Sequence, residues 1–205
     1  EIEHASGAAD RSHVKESIGG VSYLVSPTAF FQTNVGAALQ LVSLVLAAVG
    51  SATRVLDLYC GSGLFSLPLA KQGCVVTGVE ENRQAIADAE SNVRINALSS
   101  GRIRFVAARV EDAVTRLGRD SWDVVVLDPP RQGCPPTVLT SVFEQMRPRR
   151  AVYVSCDPES LAKELPVILK AGYRVASVQP VDMFPHTKHI ETVMVLDAQG
   201  PTARA

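Results

Sequence analysis

Three clusters of residues in this sequence could do chemistry. Cys156 stands directly before Asp157-Pro158, a pair suited to the N-cap and first turn of a helix, so its thiol is expected at a helix N-terminus. There the positive end of the helix dipole favours thiolate, the nucleophilic form. Glu191 opens the last β-rich run, after a polar loop that holds His186 and Lys188, and is a candidate base at the same edge. Between them in chemistry lies Asp128-Pro129-Pro130-Arg131, where two prolines stiffen a loop with two donors fewer and Asp128 can accept from a ligand N–H or hydroxyl. Each of these taken singly has an ordinary reading: a buried structural thiol, a solvated strand-opening Glu, a turn with an exposed Arg.

A further run binds rather than reacts. Val55-Leu56-Asp57-Leu58-Tyr59-Cys60-Gly61-Ser62-Gly63 reads as a strand flowing into a glycine turn, and Glu80 ends the next β-rich run. Glycines let the backbone approach a ligand, and an acid about 20 residues on can accept from both ribose hydroxyls, so a nucleotide-like cofactor is expected. A dinucleotide is disfavoured, because the third glycine position of that fingerprint is Ser66.

The elements that must position these groups follow a regular alternation. β-rich runs at 54–59, 74–80, 103–107, 122–128, 151–155, 173–180 and 191–196 are separated by helical stretches near 64–72, 83–96, 111–117, 137–146 and 158–170. An entry helix from Asn34 carries Val35, Ala38, Leu39, Val42, Leu46 and Val49 at helical spacing, with Leu41 and Val45 on its other flank. Runs such as Val124-Val125-Val126-Leu127 are apolar throughout, as strands covered on both faces are. The expectation is an α/β domain with a doubly wound, mostly parallel seven-stranded sheet of Rossmann-like type, in which ligands sit beyond the carboxyl ends of the strands.

Bulk composition narrows the partners. The chain has 205 residues, 46% of them hydrophobic, enough for one core, which is expected over 21–205 with 1–20 as a tail or remnant of an upstream region. It begins at Glu1, which suggests a processed or truncated chain. A net charge of −1 argues against a broad grip on phosphates, so nucleic-acid contacts must be local. The four cysteines have neither CxxC spacing nor a matching His pair, which points to reduced thiols in a cytoplasmic protein with no metal site. The most apolar run, 35–49, is shorter than the ~20 residues of a membrane span, and no secretory signal precedes it.

The D-x-x-C-G-x-G turn resembles the first motif of class I methyltransferases. With it, Phe30-Phe31-Gln32-Thr33-Asn34, Asp128-Pro129-Pro130-Arg131, Ser155-Cys156-Asp157-Pro158 and Met183-Phe184-Pro185-His186…His189-Ile190-Glu191-Thr192 are similar, in order and spacing, to the RNA uracil-5-methyltransferase family, over about 21–196. The resemblance implies S-adenosylmethionine as cofactor, with Gln32, Tyr59, Gly61, Gly63, Glu80 and Asp128 as its contacts. It also implies structured RNA as substrate, with 23S ribosomal RNA expected over transfer RNA, and a separate upstream RNA-binding domain that this chain lacks. By the family's pattern Cys156 adds to uracil C6 and Glu191 removes the C5 proton after methyl transfer, while Asp128, Arg131 and His186 face the base. The clearest departure is Ala107-Ala108-Arg109, where an acid or amide often follows the third strand, which leaves the adenine contacts open. A methyltransferase acting on an amine or amide nitrogen would need Asp128-Pro129-Pro130 and no cysteine. A fold kept only for cofactor or RNA binding would need neither Cys156 nor Glu191.

Overall fold

A computed structural model of the chain describes residues 13–27, 31–32, 34–183, 187 and 190–200. It opens with an antiparallel hairpin, β1 (Val14–Ile18) and β2 (Val21–Val25), closed by Gly19 and Gly20, both at positive φ as a tight two-residue hairpin turn requires. The domain boundary expected at residue 21 falls inside this hairpin: Lys15, Glu16 and Ser17 read as a polar tail, yet they are ladder residues, and Ile18, Val21, Tyr23 and Val25 enter the core.

Helix α1 (Val35–Val49) starts at Asn34, whose side chain accepts from the Ala37 amide at 3.1 Å. Its buried face runs through Ala38, Leu41, Val42, Val45 and Val49, a stripe rotated from the expected one, so that Leu39 is 42% exposed. Then come β3 (Arg54–Leu58), α2 (Ser66–Lys71), β4 (Val75–Glu80), α3 (Arg83–Ile95), β5 (Ile103–Ala107), α4 (Val110–Leu117) and β6 (Val124–Leu127). The second half holds α5 (Pro136–Thr140), which widens into a π-helical turn over Ser141–Met146, then β7 (Arg150–Ser155), α6 (Pro158–Lys170), β8 (Tyr173–Asp182) and β9 (Ile190–Ala198).

The seven-stranded sheet is ordered β5-β4-β3-β6-β7-β9-β8 and is parallel except for β9, which runs antiparallel to both neighbours. Alternate residues feed two cores. Val124 and Val126 pack with the hairpin, α1 and α2, whereas Val125 and Leu127 pack with α4, α5 and α6. This two-sided burial is why β6 is apolar throughout. Parallel β3, β4, β6 and β7 end at one edge, and β9, being reversed, begins there. Among the described residues no helix is long and apolar enough to cross a membrane.

Candidate active site

At that edge lies a cleft of about 820 Å³, a size suited to a nucleoside-like ligand. Of the expected site residues, Gln32, Tyr59, Gly61, Glu80, Asp128, Arg131, Cys156 and Glu191 all line it. Gly63 sits one step behind the wall, and His186 lies outside the described residues, as do Phe30, Thr33 and His189.

The turn after β3 forms one end of the cleft. Tyr59 and Gly61 are both left-handed, at φ 65° and 52°, and a side chain added at Gly61 would meet nothing within 4 Å, so that face is open to a ligand. At Gly63 the need is internal: φ is 93° and a Cβ would run into Leu67. The Glu80 carboxylate accepts from the Gly61 amide at 3.2 Å and the Asn82 amide at 2.8 Å, which fixes it while leaving lone pairs toward the cleft. Ser66, the residue that replaces the third glycine, begins α2 and donates to buried Asp57 at 2.5 Å. Tyr59 and Ser62 each bury a hydroxyl that has no partner among the described residues, unmet hydrogen-bonding capacity beside the turn. Open space and unpaired polar atoms together fit a polar cofactor here.

The reactive end is built from three strand termini. Ser155 pairs with Thr192 across the β7–β9 ladder, so Cys156 and Glu191 follow as the next opposed positions. A pair of bonds bends the chain there: the Asp157 amide donates to Ser155 Oγ at 3.1 Å and that hydroxyl donates to the Asp157 carbonyl at 2.9 Å. Asp157 then caps α6, accepting from the Glu159 and Ser160 amides. Cys156 is half-buried, Glu191 only 7% exposed.

Electrostatics here depart from the expectation for the thiol. The Cys156 pKa lies above its ordinary 9.0, because burial, first, and the Glu191 carboxylate, second, outweigh a lowering Arg131 hydrogen bond. Burial and a neighbouring carboxylate thus raise a thiol that its place before the helix was expected to lower. Burial also raises the Glu191 carboxyl, with Arg131 pulling it back, and raises Asp128 well above the carboxylate range, reinforced by Glu191 and Asp57.

A residue that sequence reasoning missed holds the Asp128-Pro129-Pro130-Arg131 loop. Glu164 of α6 accepts from the Cys134 amide at 2.7 Å and from the Tyr153 hydroxyl at 2.8 Å. Gly133, at φ 81°, passes so close that a Cβ would collide with this carboxylate. One signal was available: Glu164 falls between Leu161 and Ile168 on the buried stripe of α6, where a charge needs partners. Arg109 also lines the cleft, 66% exposed by side chain and 3.3 Å from Glu111, so the expected acid or amide after β5 is replaced by a cation.

The strand order, the glycine turn and the acid ending the next strand define the Rossmann-like fold of class I methyltransferases. Within that class the chain belongs to the tRNA (uracil-5-)-methyltransferase family, whose sequence profile matches residues 12–199. It is 37% identical over 191 residues to an uncharacterized RNA methyltransferase of Halalkalibacterium halodurans, covering 91% of this chain and 41% of that protein. A Listeria innocua relative described in the same words is 40% identical over 190 residues, covering 89% and 41%. The crystal structure of Pyrococcus abyssi tRNA (uracil-54, C5)-methyltransferase in complex with S-adenosyl-L-homocysteine superposes with a TM-score of 0.81 at 35% identity, over 91% of this chain and 44% of that one. The chain thus spans about two fifths of the length of the curated relatives it matches.

Proposed function

We propose that this chain is the catalytic domain, running from the β1–β2 hairpin through β9, of a methyltransferase that converts uridine to 5-methyluridine in structured RNA with S-adenosylmethionine as methyl donor. The observation that carries this reading is the convergence of Cys156, Glu191 and Asp128 on one cleft whose far end is the glycine turn. The solved relative bound to S-adenosyl-L-homocysteine supports the cofactor.

Glu80 would hold the cofactor ribose, with Gln32, Tyr59, Gly61, Gly63 and Asp128 around it. The Glu80 carboxylate on the cleft wall suits a cationic ligand better than its neutral product. When bound, the cofactor supplies an activated methyl group, so no metal is called for. The chain's own residues do the rest. Cys156 as thiolate adds to uracil C6, which pushes electron density onto C5 and makes that carbon nucleophilic. Arg131 steadies the sulfur and, with Asp128, faces the base, and the family resemblance adds His186 as a substrate contact. After methyl transfer Glu191 takes the C5 proton, and the electron pair left behind expels the Cys156 sulfur from C6. A base must leave its stack to reach a half-buried thiol, so recognition of loop shape accompanies catalysis.

A single assay with labelled cofactor and RNA tests this. Cys156→Ala abolishes methylation under this mechanism, whereas an amine or amide methyltransferase retains it. Within RNA, 23S ribosomal RNA is the target expected from the family resemblance, and the solved relative is named for transfer RNA. Mapping 5-methyluridine in both, before and after loss of the gene, assigns it.

A further inference from the structure

The β1–β2 hairpin docks on the domain through an unusual polar seam. The buried face of α3 carries Asp88 and Asn92, and Asn96 at its C-cap continues the row, residues of poor helix propensity spaced four apart. Opposite them run Ser22, Leu24 and Ser26 on the outer edge of β2, residues two apart whose backbone groups β1 does not pair. One helix step of four residues rises ~6 Å, close to the ~6.8 Å of two strand residues, so the two rows stay in step.

Asn96 accepts from the Ser22 amide at 2.8 Å and donates to its carbonyl at 2.6 Å. Asn92 does the same for Leu24, at 2.7 and 3.2 Å. Asp88 accepts from the Ser26 amide at 2.7 Å and from its hydroxyl at 2.6 Å. The helix side chains thus stand in for a neighbouring strand and satisfy the hairpin's free edge.

Asn92 does one thing the other two do not. Fully buried, it also donates through Nδ2 to the Ser62 carbonyl at 3.2 Å, inside the glycine turn. From the hairpin itself, the buried Tyr23 hydroxyl donates to the Leu64 carbonyl of that turn at 3.1 Å, while its ring packs on Phe31 beside the cleft. Two turn carbonyls are therefore held from behind, which leaves the Gly61 face presented to the cleft.

Resting on the cofactor reading above, we propose that Asn92 and Tyr23 are positioning residues through which the seated hairpin sets the affinity of the turn for S-adenosylmethionine. Neither residue lines the cleft. They act by fixing the backbone that does.

The test is calorimetric titration of the full chain with S-adenosylmethionine, alongside hydrogen exchange of the 61–65 amides, for Asn92→Ala, Tyr23→Phe and Asn96→Ala. The last variant removes the matching pair of bonds to the hairpin, and one to the Asn92 carbonyl, but has no bond to the turn. Expected are a roughly tenfold weaker Kd for Asn92→Ala, a severalfold weaker one for Tyr23→Phe, and faster exchange at the turn in both. Asn96→Ala should stay within about twofold of the parent protein. Equal losses in Asn92→Ala and Asn96→Ala, with exchange raised uniformly, would overturn the proposal by reducing Asn92 to a hairpin anchor. Should Asn92→Ala fail to fold, Tyr23→Phe decides, since it removes one hydroxyl only; an unchanged Kd there also overturns it. Failure of the parent protein to bind the cofactor would instead overturn the cofactor reading, and the exchange difference at the turn would still decide the coupling.

Discussion

Cys156 and Glu191 occupy opposed positions one step beyond the Ser155–Thr192 pair, where parallel β7 ends and reversed β9 begins. Reversal of this one strand is what brings a C-terminal carboxylate to the edge where the parallel strands finish. Were β9 parallel, Glu191 would open at the opposite edge of the sheet, away from the thiol.

That opposition predicts different failures for the two residues. Cys156→Ala should form no covalent complex with RNA and show only background methylation. Glu191→Gln should still add to the base but turn over about 10²–10⁴-fold more slowly, the usual contribution of a positioned base. Denaturing gels of each variant with RNA should show a slow-migrating adduct for Glu191→Gln alone. An adduct with Cys156→Ala, or normal turnover by Glu191→Gln, is incompatible with these roles.

The pH dependence follows from the same neighbours. Because the Cys156 thiol is raised above 9.0, chiefly by burial and then by Glu191, its alkylation by iodoacetamide should climb with pH to a midpoint above 9.0. Glu191→Gln removes a raising charge and should lower that midpoint; Arg131→Ala removes a lowering hydrogen bond and should raise it. Cys60, Cys74 and Cys134 are buried, so Cys156 should dominate the signal. The acid limb of turnover should lie above 4.5, since the Glu191 carboxyl is itself raised and must be ionised to accept a proton.

Stability should respond to pH through Asp57, which burial pushes up from 3.8 to about 7 despite the Ser66 hydrogen bond. A carboxyl that binds its proton more tightly when folded contributes stability that is complete below 3.8 and lost as pH rises through about 7. The expected loss across that window is on the order of 4 kcal/mol. Asp57→Asn should flatten the slope of urea-unfolding free energy against pH between 4 and 7, and an unchanged slope would exclude Asp57 as its source.

How far these features were legible in the sequence depends on their range. Strands β3, β4, β6, β7 and β9 were readable because they are buried on both faces, so apolar runs such as Val124–Leu127 need no partner to be recognised. The turn and its acid were readable because Gly61, Gly63 and Glu80 lie within one β-turn-α-β unit. The hairpin was not, since Lys15 to Ser17 look solvated until they are seen to pair with β2, whose other edge Asn92 and Asn96 complete. Nor was the direction of the Cys156 shift, which burial sets and Glu191 reinforces from 35 positions away in sequence. Local rules reach a helix cap; they do not reach a charge brought across by an antiparallel strand.

The loop that carries Pro129, Pro130 and Arg131 offers the last prediction, because its Cys134 end is tethered by Glu164, on the same helix that Cys156 precedes. Glu164 thereby ties the position of Arg131 to that of the thiol. Glu164→Ala leaves the Cys134 amide without its acceptor and the Tyr153 hydroxyl with only the Cys134 sulfur at 3.5 Å, a cost of about 1–3 kcal/mol for a buried group left unpaired. Glu164→Gln keeps one acceptor oxygen and should recover much of the loss. Gly133→Ala strains a left-handed position by about 1–3 kcal/mol and also displaces the carboxylate, so it should resemble Glu164→Ala in activity. Thermal melts and turnover measured together check this: if Glu164→Ala lowers stability while methylation per folded molecule is unchanged, the tether serves the fold and not the placement of Arg131.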